Sequence, residues 1–443
     1  MSARTLMLLT GLLVSLVVAL PARAGLDIQH WSTPDGARVY FVENHDLPML
    51  DVSVEFSAGS ARDSRDKSGL AVMTNRLLRL GAGEWSEQAI AEQLADVGAI
   101  LSPRFDQDRA GYALRTLSSP QEREVAVAVL ATVLAQPRFD AAVLAREKQR
   151  AIAALKEASV KPEYQGSKAF QAAIYGDHPY GLPESGEPAS LESLGVDDLR
   201  AFHQRYYVAP GMTIAIMGDL SRADAEALAV RLGQDLPKGQ APSPLPPVAD
   251  LAQGQEVLIP HHASQSHLFM GMPGLTRTDP DYFPLLVGNY ILGGGGFDSR
   301  MLIEIRQKRG LAYSAYSYFS PLGERGPFQI GLQTRRDATD EAVSVVRQTV
   351  AEFLAQGPTE AELEQARNNL VGGFPLRLDS NKKILEYLAL IGFYRLPLDW
   401  LDRYPREVAS VTRDDVLRAF QARVRPEAFS TIVVGGQVGA TGQ

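Results

Sequence analysis

Apolar residues open each half of this chain in short β-type runs and only later take up helical spacing. "ARVYFVEN" (37–44) and "MLDVSVEFSAG" (49–59) read as strands, and "QEVLIPH" (255–261) and "SHLFMGMPG" (266–274) repeat that opening further on. Clusters of helical pattern follow each opening, which predicts an α+β fold rather than alternating βαβ units. "GLAVMTNRLLRLGAG" (69–83) is such a helix: Leu70, Val72, Met73, Leu77, Leu78 and Leu80 supply its apolar positions, and Gly81 and Gly83 end it. One of its stripes carries a single apolar residue. Val72, Asn75, Arg76 and Arg79 fall at i, i+3, i+4 and i+7, so they share a face, which would ordinarily be solvated.

The pattern also repeats on a larger scale. "LRAFHQRYYVAPGMTIAIMG" (199–218) and "LRAFQARVRPEAFSTIVVGG" (417–436) align without a gap, each reading as helix, loop and β-branched strand. "FDAAVLAREKQRAIAAL" and "PTEAELEQARNNLVGGF" are a weaker echo, two long amphipathic helices after proline-containing turns. A repeat this long is a duplicated domain, since a solenoid period is roughly 20–50 residues. Between the halves, "DLPKGQAPSPLPPVADLAQGQ" (235–255) is proline-rich and lacks periodicity, which predicts an extended, semi-rigid linker.

The chain's 443 residues are 45% hydrophobic and 22% charged, a globular composition. Its first 24 residues read as a secretory signal peptide: Arg4, an apolar run from Leu6 to Leu20, and "ARA" (Ala22 to Ala24) as cleavage site. That run is shorter than the roughly 20 residues needed to span a bilayer, so no stable membrane anchor is expected. With no cysteine there is neither a lipid-acceptor thiol nor a disulfide framework. The expectation is an exported, periplasmic protein. Net charge is −8, and loss of Arg4 and Arg23 with the leader leaves about −10, which argues against a nucleic-acid partner.

Several chemistries fail on inspection. No H-E-x-x-H, H-x-x-E-H or G-x-S-x-G occurs. His261, His262 and His267 cluster at a strand entry, but His262 and His267 would point to opposite faces, so surface histidines are expected there rather than a metal site. "ILGGGGFDSR" (291–300) has no Lys-Ser/Thr after its glycines, so it is no phosphate loop; its glycines are expected to end a helix and allow close backbone approach. In "LIEIRQKRGLAYSAYSYFS" (302–320), a helix runs to a Gly310 cap, and Tyr313 enters a strand just beyond it. Arg306 and Tyr313 can then converge on one point and donate hydrogen bonds to a carbonyl oxygen or oxyanion, although each residue also has an ordinary surface role open to it.

The duplicated halves, the linker, "GSARD…SGLA" (59–71), "YGDHPYG" (175–181) and "GGGGFDSRMLIEIRQKRGLAYS" (293–314) together resemble the pitrilysin/insulinase family of metallopeptidases. The resemblance implies two homologous domains, 25–234 and 256–443, each an antiparallel-rich sheet under helices, joined by the linker into a half-shell. It also implies an inverted H-x-x-E-H zinc motif directly after "GLA". Here Val72 and Arg76 stand at the histidine positions and Asn75 at the glutamate position, and Ala153 and Ala154 stand where a third ligand is expected. Arg306 and Tyr313 match the substrate-holding pair of the family's second half. The strand in "GAILSPRFDQDRAGY" (98–112), a peptide-pairing edge in catalytic relatives, carries Pro103, which deletes one backbone donor. The resemblance therefore implies a zinc-less subunit that binds no metal itself. Its expected partners are a homologous zinc-binding subunit, which would hold Zn²⁺, and a peptide or unfolded polypeptide. A catalytically inert assembly protein of the same fold is the alternative.

Overall fold

In the computed structural model, residues 26–435 are described; the leader expected at 1–24 lies outside them. The first half forms a six-stranded sheet from β1 (Gln29–Ser32), β2 (Arg38–Glu43), β3 (Met49–Phe56), β4 (Ile100–Phe105), β5 (Ala110–Leu117) and β6 (Met212–Gly218), in the order β1-β2-β6-β3-β5-β4. The second half forms a five-stranded sheet from β7 (Glu256–Ile259), β8 (Gln265–Pro273), β9 (Ala315–Phe319), β10 (Pro327–Arg335) and β11 (Ser430–Val434), in the order β7-β11-β8-β10-β9. Without β1 the two orders coincide strand for strand. Each sheet has one parallel pair at the same place, β2 with β6 and β7 with β11. The duplication seen in sequence is thus a duplication of topology. The two aligned segments supply a helix and a central strand to each half, Val196–Tyr206 with β6 and Arg413–Arg423 with β11.

The halves exchange helices. Helix Pro162–Tyr175 belongs to the first half by sequence, yet Phe170, Ala173 and Ile174 pack with Phe269, Ile432 and Val434 of the second sheet. Helix Asn381–Tyr394 returns the favour, setting Ile384, Leu385 and Leu388 against Val42, Ala215 and Met217 of the first sheet. A glycine allows each close approach. A Cβ on Gly166 would lie 2.2 Å from the Phe269 ring, and one on Gly392 2.6 Å from the Tyr40 ring. Four of these large side chains, at about 1.5–3 kcal/mol each, bind the halves with gross stabilisation on the order of 10 kcal/mol.

A buried carboxylate adds a polar clamp. Asp108 of the first half accepts hydrogen bonds from the Tyr180 hydroxyl (2.5 Å), the Gly323 N–H (2.7 Å) and the Tyr394 hydroxyl (2.8 Å), the last two from the second half. Tyr175 donates across the same junction to the carbonyl of Arg325 at 3.1 Å. The two tyrosines of "YGDHPYG" therefore serve to lock the halves.

Residues 237–251 contain no helix or strand, and they form a strap bonded to both halves. Arg62 donates to the Ser243 carbonyl and His178 bonds the Pro246 carbonyl, both from the first half. From the second half, Arg325 holds the Val248 carbonyl and, with Arg425, the Asp250 carboxylate. Trypsin should nick this strap first after the exposed Lys238. Because of the helix exchange, the two fragments should still co-elute on gel filtration under native conditions; separation without denaturant would show that the exchanged helices contribute little.

Candidate functional site

The helix that carries the odd stripe spans Leu70–Leu77. Gly69 precedes it with φ +91°, and the buried Asp63 accepts the N–H groups of Gly69 (2.7 Å) and Ala71 (2.8 Å), capping its open amide end. Burial pushes the Asp63 carboxyl up to about 7 against the pull of those donors. This is the physical role of "GSARD…SGLA": one carboxylate and one left-handed glycine fix where the helix begins.

The stripe is only partly solvated. Asn75 is buried, and every polar group of its side chain is used. Its Nδ2 donates to the Arg104 carbonyl at 3.1 Å, its Oδ1 accepts from the Tyr207 hydroxyl at 3.1 Å, and its own carbonyl accepts from Tyr112 at 2.7 Å. The second half has a matching device, since Asn289, which ends the corresponding helix Tyr282–Asn289, donates to the Ser317 carbonyl of β9 at 3.0 Å. Asn75 is thus an amide that ties its helix to the edge strand.

Arg76 reaches the facing helix, Ala141–Ser159, where its Nε lies 2.9 Å from a carboxylate oxygen of Glu147. Glu147 is 2% exposed and also takes Arg146 at 2.9 Å and Arg150 at 2.8 Å. Burial alone would raise its pKa, but Arg146, Arg76 and Arg150 hold the carboxyl below the usual carboxylate range. Glu147, Arg150 and Ala154 lie at i, i+3 and i+7, so the position of the expected third ligand shares the face that meets Arg76 but ends in a methyl group. The sequence does not mark Glu147 as part of this site, because an acid with arginines at −1 and +3 in "REKQR" has the pattern of ordinary surface charge.

These side chains do not fit zinc. A catalytic zinc takes three protein side chains with lone pairs, and a structural one takes four. Val72 and Ala154 have none, Asn75 is consumed by the fold, and Glu147 is bound by three cations. Among the described residues, no group of three His, Asp or Glu side chains is placed to hold a metal ion. Accordingly, the purified chain should retain no stoichiometric zinc after dialysis, as measured by elemental analysis, and should show no chelator-sensitive proteolysis alone.

The second predicted pair does come together. Arg300–Leu302 is helical and continues as a wider π-helical turn, Ile303–Gln307, that presents Arg306. Gly310 turns the chain with φ +62°, and Leu311 donates back to the Ile305 carbonyl at 2.9 Å. Tyr313 therefore lies before the strand, not within it as expected: β9 begins at Ala315 because Leu311 and Ala312 are still buried against the helix end. The guanidinium of Arg306 sits 4.3 Å from the Tyr313 ring centroid and 5.1 Å from that of Phe297. Tyr313 is 80% exposed and Phe297 65% exposed. Phe297 was not singled out in the sequence; its place in the glycine-rich run concealed it. Among the described residues neither the Arg306 nor the Tyr313 side chain makes a hydrogen bond or ion pair, so the stack orients the guanidinium and leaves its N–H groups and the phenol free to donate.

The edge strands differ from each other. The turn bond from Asp106 N to Arg109 O sets the alternation along β4 and places Leu101, Pro103 and Phe105 in the outward row. Pro103 thus removes a donor from the free edge itself. On β9 the outward Ser317 carbonyl is held by Asn289, and a Cβ on Gly293 would fall 2.5 Å from the Ser317 nitrogen. The glycine run accordingly allows close backbone approach, as expected. The histidines are dispersed: His261 bonds the Val160 carbonyl at 2.9 Å, while His267 is buried 3.5 Å from Glu163, which corrects its expected surface position.

Comparison with known proteins gives matches along most of the chain. A model of the insulinase peptidase family M16 matches residues 38–186, and one of the peptidase M16 inactive domain matches residues 193–370. YmxG of Bacillus subtilis, an uncharacterized zinc protease, is 25% identical over 353 residues, 80% of this chain and 85% of its own length. The non-peptidase homolog YmxG of Helicobacter pylori is 26% identical over 367 residues, 82% of this chain and 83% of its own. A crystal structure of a peptidase M16 inactive domain from Pseudomonas fluorescens superposes with TM-score 0.89 at 37% identity, over 93% of this chain and 99% of that one.

Proposed function

This chain belongs to the insulinase peptidase family, M16, and from that membership we propose that it is the non-zinc-binding subunit of a heteromeric, periplasmic zinc metalloendopeptidase. Its partner is a homologue with an intact H-x-x-E-H. The two close around a peptide or unfolded polypeptide, and this chain supplies Arg306 and Tyr313 across the interface. The observation that carries the proposal is the exposed Phe297–Arg306–Tyr313 stack, oriented yet without hydrogen-bond partners among the described residues, in a chain whose own metal centre is filled by an ion pair. A stack that only stabilised this chain would have no need to leave its donors free.

The division of work follows from the chemistry. When bound in the partner, zinc supplies an activated water. In this chain, the Arg306 guanidinium and the Tyr313 hydroxyl donate to a peptide carbonyl and offset charge that develops on its oxygen. The test is reconstitution with the H-x-x-E-H homologue, scored for complex formation on gel filtration and for hydrolysis of a quenched-fluorescence peptide. Hydrolysis only in the mixture is the expected result. Equal hydrolysis by the partner alone would reassign this chain to assembly without a part in substrate binding.

A further inference from the structure

We propose that the vacated metal centre is itself a binding site, for a carboxylate of the peptide. Three arginines converge there, and a fourth is exposed three residues beyond one of them. Arg76, Arg146 and Arg150 surround Glu147, and Arg146 also bonds Glu87 at 2.7 Å. Arg79 is exposed in the turn just after the helix, three residues beyond Arg76, and among the described residues it has no carboxylate partner. Four cations against Glu147 and Glu87 leave an excess of two positive charges, in a chain whose net charge is −8.

The geometry keeps that charge available. Glu147 is 2% exposed and sits beneath the guanidinium groups, whereas Arg76 is 49% and Arg150 61% exposed. Arg76 meets Glu147 through Nε and Arg150 through one terminal nitrogen, so each keeps N–H groups that can face solvent. The buried carboxylate acts as a pedestal that holds the forks in place. Ala153 and Ala154 are exposed on the same helix, so neither position puts a long side chain over the seat. Paired N–H donors in a plane match the two oxygens of a carboxylate. A site that would hold a cation with acids and imidazoles in a zinc peptidase is here rebuilt to hold an anion.

The proposal rests on the two-chain reading only for its ligand, a peptide. The test uses the isolated full chain, so its failure leaves reconstitution unaffected and the reverse. The probes are four fluorescein-labelled peptides of Gly, Ser and Ala, with a central Glu or Gln and with a free or amidated C-terminus. Anisotropy at about 50 mM salt should show at least about tenfold tighter binding for one carboxylate-bearing version than for the fully neutral one. That preference should shrink at about 300 mM salt. The Glu arm and the free-terminus arm distinguish a side-chain carboxylate from a terminal one. Arg79→Gln with Arg150→Gln should bring the preferred peptide down to the neutral level without changing the melting temperature, because Glu147 keeps Arg76 and Arg146. Equal binding of all four peptides by the wild-type chain would overturn the site. So would a carboxylate preference that survives in the folded double variant.

Discussion

Tyr313→Phe is expected to lower turnover by the reconstituted two-chain peptidase by about 10²–10³-fold, the usual cost of losing one donor aimed at a developing oxyanion. The ring is retained, so its 4.3 Å stack with Arg306 should persist. With the residue 80% exposed in the free chain, folding and assembly should survive the change. Arg306→Ala should cost at least as much, because it removes a charge-assisted donor and the central member of the stack, freeing both Tyr313 and Phe297. Arg306→Lys separates these roles: it keeps the charge but loses the planar fork, and an intermediate rate would assign part of the effect to stacking. The decisive controls are complex formation by gel filtration and zinc content of the partner, neither of which should move. Full activity in both Tyr313→Phe and Arg306→Ala, with assembly intact, would return the pair to an ordinary surface role.

Much of this was legible in the sequence, for reasons that differ by feature. The duplication could be read because the end of each half uses the same helix, loop and buried strand, and a buried central strand tolerates few residue types. The Arg306–Tyr313 convergence could be read because Gly310 forces a tight return of the chain. What could not be read was anything set by packing between distant segments. Helix exchange leaves no local signature: Gly166 and Gly392 are lone helical glycines, unremarkable until Phe269 and Tyr40 are seen against them. The solvated-stripe expectation failed at Asn75 for the same reason, since its partners Tyr207 and Arg104 are far along the chain. Glu147 was hidden too, because an acid among arginines on an amphipathic helix looks like surface charge until its burial is known.

The junction between the halves yields the other large effect. Asp108→Ala should destabilise the chain on the order of 2–4 kcal/mol, from about 1–3 kcal/mol for each of the two buried hydroxyls left without a partner, reduced by relaxation. Three donors are at stake: the hydroxyls of Tyr180 and Tyr394 and the Gly323 N–H. Neither hydroxyl can turn to solvent cheaply, because Tyr180 is 1% and Tyr394 9% exposed, whereas Gly323 lies at the surface and its N–H can be hydrated. Burial, the largest cause, pushes both phenols above their ordinary pKa and persists when the Asp108 charge is removed. Asp108→Asn should cost less, since its carbonyl oxygen still accepts and its amide can donate to a tyrosine oxygen. Urea unfolding would measure both, with the alanine variant's midpoint falling further. A sharper readout combines this with the nick after Lys238. In the wild type the nicked fragments should stay together through the exchanged helices and the clamp. In Asp108→Ala they should separate at a lower urea concentration, well before either fragment loses its far-UV circular dichroism. Loss of less than about 0.5 kcal/mol, with fragments that part at the same urea concentration as wild type, would mean that the exchanged apolar helices alone hold the halves and that the carboxylate merely fills its place.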